Sequence, residues 1–208
     1  MQGRRASRSF LRPLTVGTAA LTAALACSAA AADSGRSRQD ADQMLQKITR
    51  ITSNGISSQP APRNTTITQR ELNSFLAFHA REGLPAGVLD PVVQIAPAGK
   101  LTGRAMVDLD QVRKAQGSNG SGAMTLLSGR LPVEATGVLQ TSNGVGKFEL
   151  QEAWVGSIPI PRTLLRQIVA HYSRTPDAPE GIDLEAPFEL PVGIREIRTG
   201  QGQAIIVQ

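Results

Sequence analysis

The feature that most constrains this chain is a change of period at residue 91. "VVQIAPAGKLTGRAMVDLDQV" alternates small or apolar residues with polar ones around a Pro-Ala-Gly-Lys turn, and "GRLPVEATGVLQTSNGVGKFELQEAWVG" does so again around Ser-Asn-Gly. Alternation over segments this long belongs to strands with one buried face. Leu101, Gly103, Ala105, Val107 and Leu109 then share one side of the first hairpin. Asn143-Gly144 suits the paired positive φ angles of a tight hairpin turn. Between the hairpins, "KAQGSNGSGA" is a polar loop without an apolar anchor.

Helices bracket this region. "TQRELNSFLAFHAREG" opens with Thr68 and has Glu71 three residues on, the reciprocal capping arrangement of a helix start. Leu72, Phe75, Leu76 and His79 follow on one face, and Gly83 and Pro85 stop the pattern, so a helix is predicted over 69–81. Upstream, Met44, Leu45, Ile48 and Ile51 mark a short amphipathic helix, broken by "SNGISSQPAPRN". In "GSIPIPRTLLRQIVAHY", Pro159 ends a strand by withholding a ladder donor, and Pro161 suits a first helical position. Leu164, Leu165, Ile168, Val169 and Tyr172 form an apolar stripe on the helix that follows. After a proline-rich passage, "IREIRTG" and "QAIIVQ" read as two last strands. The plan is α+β with a meandering antiparallel sheet.

The N-terminus reads as a leader. Arg4, Arg5, Arg8 and Arg12, with no acid, precede the alanine-rich run "LTVGTAALTAALACSAAAA", shorter than a confident span of about 20 residues. Residues 1–32 are expected to be a secretory signal peptide, residues 33–40 a flexible tether, and residues 41–208 one α+β domain. Two exits fit: cleavage after Ala32 with soluble release, or lipidation of Cys27 as in bacterial lipoproteins. Either places the protein in a bacterial periplasm or cell envelope. The leader carries four of the 22 Lys and Arg and none of the 17 acids, so the remainder has 18 bases against 17 acids. A nucleic-acid partner loses its electrostatic motive. Cys27 is the sole cysteine, so no intramolecular disulfide is available and the core must hold the fold.

Catalytic motifs are absent from the sequence: there is no G-x-S-x-G elbow, phosphate loop, H-E-x-x-H or EF-hand pattern. No catalytic residue, metal site or cofactor is expected. His79 reads as a half-buried histidine bonded near a helix end, and His171 lies beside Tyr172 without a third metal ligand. Asp108 and Asp110 are two apart in a strand and point the same way, as solvent-facing residues. Glu149 and Glu152 are three apart and face opposite sides of a regular strand. Arg162 and Arg166, four apart near a helix start, are either candidate contacts for an anionic head group or snorkelling side chains.

Three segments carry a family resemblance. "ITQRELNSFL" with Glu71, Leu72 and Asn73, the "GSIPIPRTLL" corner, and "APFELPVGIREIRTGQGQAIIV" with Leu190, Pro191, Ile194 and the "GQG" turn resemble tubular lipid-binding (TULIP-like) bacterial envelope proteins. The resemblance spans most of residues 66–207. It implies a curved antiparallel meander sheet packed against two amphipathic helices, enclosing an apolar groove for acyl chains; this chain's modest length implies a small one. The small residues Gly103, Ala105, Ala135, Gly137 and Ala153 fit a sheet that bends or admits a ligand. The resemblance makes Leu72, Phe75, Leu76, Leu164, Leu165, Ile168, Val169 and Tyr172 candidate groove walls. The expected partner is a lipid or other hydrophobic small molecule, bound without catalysis. The alternative is an envelope scaffold or accessory protein with a filled core, meeting a protein partner through a sheet edge or the 116–122 loop.

Overall fold

A computed structural model describes residues 35–116, 129–166, 180, 183 and 186–208. Helix α1 (Arg38–Gly55) starts at Ser37, whose Oγ accepts the amide of Asp40 at 3.0 Å. Residues 37–40, expected in the tether, therefore belong to the folded unit, and Asp40 is buried. Strand β1 (Asn64–Thr68) runs straight into α2 (Gln69–Phe78), because Thr68 ends the strand and caps the helix. The predicted capping box is present: Thr68 Oγ1 accepts the Glu71 amide at 3.2 Å, and a Glu71 carboxylate oxygen accepts the Thr68 amide at 2.8 Å. The helix stops at Phe78, three residues earlier than expected, and a 3-10 turn follows at Arg81–Gly83.

Next come β2 (Val88–Ile95) and β3 (Lys100–Asp108), joined through Ala98 and Gly99, both at positive φ. Helix α3 (Leu109–Gln116) was not expected. Asp108 closes β3 and accepts the amides of Asp110 and Gln111, each at 3.1 Å, on Oδ1. That cap turns the chain into a helix, so Asp108 and Asp110 do not share a strand face, and Leu109 leaves the ladder and is buried as the first residue of α3. Strands β4 (Arg130–Ser142) and β5 (Val145–Val155) follow, with Asn143 and Gly144 at positive φ as predicted. The remaining strands are β6 (Ile158–Pro159), β7 (Phe188–Glu189), β8 (Glu196–Gly200) and β9 (Gln203–Val207). Most of the polar loop expected between the hairpins lies outside the described residues.

The strands form two antiparallel sheets, and the molecule is α+β. One has the order β1-β9-β8; the other is a meander β2-β3-β4-β5-β6, with β7 added to the far edge of β5. The register sorts the meander's side chains into two faces. On the inner face, successive cross-strand rungs are Ile95–Leu101–Gly137–Leu150, Val93–Gly103–Ala135–Ala153 and Ala105–Val133–Val155–Ile158. The five small residues singled out in the sequence all lie on this face. On the outer face the rungs are Gln94–Thr102–Thr136–Glu152 and Val92–Arg104–Glu134–Trp154–Pro159. A bulge in β5 at Gln151 shifts the phase, so Glu149 pairs with Val138 and Glu152 with Thr136. Those partners are two apart, which places both glutamates on the outer face and corrects the expectation of opposite sides.

The core sits at one end. Met44, Ile51, Ile67, Leu190, Ile194 and Ile206 form a buried cluster between α1 and the small sheet, with Leu72 and Phe75 packed against it. Polar side chains from α2 stitch this end to the meander. Asn73 Nδ2 donates to the carbonyl of Val93 at 2.9 Å while its Oδ1 accepts the Val93 amide at 2.7 Å. Gln69, one turn earlier, accepts the Ile95 amide at 2.9 Å. The helix thereby supplies the edge strand β2 with partners it would otherwise lack. Thr141 Oγ1 does the same for the amide and carbonyl of Ile197 on β8.

Candidate functional site

At the end of the meander away from this core, the outer face carries an open cleft of about 470 Å³. Trp154, Met106 and Pro132, with Ala105 and Val133 of the neighbouring inner rung, provide its apolar surfaces, and Asp90, Arg104 and Glu134 its charged ones. Register alone assembles it. Arg104, Glu134 and Trp154 are direct neighbours across β3, β4 and β5, and Met106 faces Pro132 one rung on. Trp154, the only tryptophan in the chain, is 38 % exposed. Arg104 holds Glu134 through Nε to Oε2 at 2.6 Å, with a longer contact of 3.5 Å to Oε1. Both members are well exposed, so this pair orients the groups more than it stabilises the fold.

Asp90 arrives by a different route. The β2–β3 register slips between Leu89 and Val92, leaving Asp90 and Pro91 out of the ladder, and Asp90 adopts φ 47°. Bulges of this kind re-aim a side chain, and aspartate tolerates the left-handed region better than most residues. Proline cannot donate to the ladder in any case, so the sequence "DP" concedes little pairing at this point.

None of the five described candidate groove residues, Leu72, Phe75, Leu76, Leu164 and Leu165, lines this cleft. Leu72 and Phe75 are part of the core packing, and Leu76 is half-buried on the same helix. Leu165 is half-buried, and Leu164 is 44 % exposed in the helical turn at 162–166, which opens with the Leu165 amide donating to the Pro161 carbonyl at 3.0 Å. Pro161 thus stands just before the first helical residue, one position earlier than predicted. Arg162 Nε donates to the carbonyl of Gln151 at 3.1 Å, satisfying the backbone at the β5 bulge. Arg166 is exposed one turn on. Ile168, Val169, His171, Tyr172 and Cys27 lie outside the described residues.

Among the described residues, His79, Glu71 and Asp108 are structurally engaged. His79 Nε2 is 2.7 Å from Asp42 Oδ1 on α1, and its ring lies against Phe75. Glu71 is buried, and Lys47 Nζ reaches both its oxygens at 2.7 Å while also donating to the Thr66 carbonyl. Burial alone would raise the Glu71 pKa, but the bonds from Lys47 and Thr68 outweigh it and hold the carboxyl below its ordinary value. Asp108 is likewise lowered, first by the Gln111 amide, against burial, and then by Arg130. Among the described residues no group of three His, Cys, Asp or Glu could hold a metal ion, and no helix is long and apolar enough to cross a membrane. Comparison of the chain with models of known protein families finds no match, and comparison with curated proteins finds none either.

Proposed function

We propose that the protein is exported to a bacterial envelope and binds a lipid or other hydrophobic ligand, without catalysis, against the inner face of the meander. One observation supports this reading above others. The inner rungs stay apolar along the whole sheet, yet burial falls away from the core end. Ile95, Leu150 and Ala153 are buried, whereas Ala105, Val107, Leu131, Val133 and Val155 are only half-buried and Ile158 is 62 % exposed. Apolar surface left in water costs about 25 cal/mol per Å², so a face of this composition favours an apolar occupant. The small side chains Gly103, Ala105 and Ala135 leave depth over the middle of the sheet. The groove is thus assigned to the sheet, with Leu72 and Phe75 as core rather than wall.

The rival reading, an envelope scaffold with a filled core, draws on the packing of Leu72 and Phe75 in the main cluster. Native mass spectrometry of residues 33–208 recovered from a bacterial periplasm separates the two. A stoichiometric lipid adduct, lost in the plugging variant Gly103→Trp, whose new side chain meets open space on the inner face, is the expected result. A clean apo mass that persists after incubation with mixed phospholipid vesicles would rule out lipid carriage and leave the scaffold.

A further inference from the structure

We propose that the Trp154 cleft on the outer face is a binding site for a neutral saccharide chain. The inference does not require the inner-face reading: its recognition groups Trp154, Arg104 and Glu134 share the outer rung, although Ala105 and Val133 of the neighbouring inner rung also reach the cleft. It rests on the match between what the cleft presents and what a pyranose presents. Trp154, Met106 and Pro132 make an apolar surface on a sheet, suited to the C–H face of a sugar ring, and an exposed indole also keeps a polar edge available. Around that surface stand Asp90, Arg104 and Glu134, which offer acceptors and donors for in-plane hydroxyls. The Arg104–Glu134 pair fixes the two groups relative to one another, so less freedom is lost when a ligand bonds to them.

The charge and shape of the cleft narrow the class further. Among the described residues of the lining, two carboxylates stand against one guanidinium, a formal charge of −1, which disfavours phosphate or carboxylate ligands and hence an acidic lipid head group. A compact cation would be served better by several aromatic faces than by one. The cleft is open to solvent, and its volume of about 470 Å³ falls in the range of about 300–1,000 Å³ typical of small-ligand sites. A chain of sugars can lie across such a surface with one ring on Trp154. The bulge at Asp90-Pro91 adds a separate indication, since it departs from the regular ladder at the point where it brings a carboxylate to the cleft.

Because Trp154 is the only tryptophan, its emission reports on this cleft alone. The test titrates the folded protein with chitotriose and maltotriose as neutral probes, with trigalacturonic acid as the anionic comparison and phosphatidylcholine–phosphatidylglycerol vesicles as the lipid comparison. A saturable shift of emission with a neutral trisaccharide, at a Kd on the order of 1 mM or tighter, and none with the anionic one, is expected. Calorimetry should show affinity reduced at least about tenfold in Trp154→Ala, partly restored in Trp154→Phe. Asp90→Asn should keep binding while Asp90→Ala weakens it, because the site uses the side chain for hydrogen bonds rather than for charge. Failure of both neutral probes at saturating concentration, a response to vesicles only, or equal binding by folded Trp154→Ala would each overturn the assignment.

Discussion

Glu71 and Asn73 lie two positions apart on α2, and both are buried polar residues whose side chains are hydrogen-bonded. Their place in the fold explains why a polar run interrupts an apolar helix. Glu71 is the centre of the network Lys47–Glu71–Thr68, in which one carboxylate ties α1, β1 and α2 together. Its pKa in the folded state lies below the ordinary value of about 4.5. The stabilisation is therefore complete above the unfolded value and is lost as pH falls through the lower folded one. Denaturant titrations between pH 7 and pH 3 should show Glu71→Gln less stable by about 2 kcal/mol at neutral pH, with a flatter acid limb than the parent. Asn73 is tested by Asn73→Leu, which leaves the amide and carbonyl of Val93 without their partner and should cost about 3 kcal/mol. In Asn73→Asp the amide of Val93 keeps its acceptor, so hydrogen exchange at that amide should stay slower than in Asn73→Leu.

At the scale of elements, the β5 bulge decides which side chains meet. Gly137 sits opposite it, and a Cβ there would stand 2.4 Å from Phe148 Cζ and 2.7 Å from the carbonyl oxygen of Glu149. Gly137→Ala should therefore destabilise by about 1–3 kcal/mol. Adding Phe148→Leu should recover only part of that, because the clash with the Glu149 backbone remains; a double-mutant cycle in urea measures the coupling. Much of this layer was legible in advance. The capped start of α2, the Asn143-Gly144 turn and the closing β8–β9 hairpin rest on contacts within a few residues, and local chemistry encodes them. Strand β1 was not read, because "NTTIT" has little apolar content and is held by β9, some 140 residues away. Helix α3 was missed because "VDLDQV" continues the alternation of β3 while Asp108 quietly supplies a cap. The bulges at Asp90-Pro91 and Gln151 leave no mark in periodicity alone. The Trp154 cleft follows from the pairing of Arg104, Glu134 and Trp154, and register across three strands is invisible in a linear pattern.

For the whole molecule, the consequence is an uneven distribution of stability. The buried cluster joins α1, β1, β9 and the 190–194 turn, and Gln208 reinforces it by donating from Nε2 to the carbonyls of Ile51 and Val192, each at 2.9 Å. Among the described residues the far end of the meander is less buried: Leu109 and Asp108 are buried at the end of β3, but Val155 and Ala105 are half-buried, and Trp154 and Ile158 are exposed. Binding surfaces belong at the less stable end, where local opening costs less than global unfolding. Native-state hydrogen exchange should accordingly find the amides of Ile205 and Ile206 protected to the global limit, and those of Ala105 and Val155 exchanging at least about tenfold faster through sub-global opening. Ile206→Ala, which hollows the cluster, should cost about 3 kcal/mol. Its effect should fall fully on the amides at the global limit and barely on the far end. If instead every amide of both sheets shifted together, the two ends would form one cooperative unit, and a groove or cleft at the far end would have to open at the expense of the entire fold.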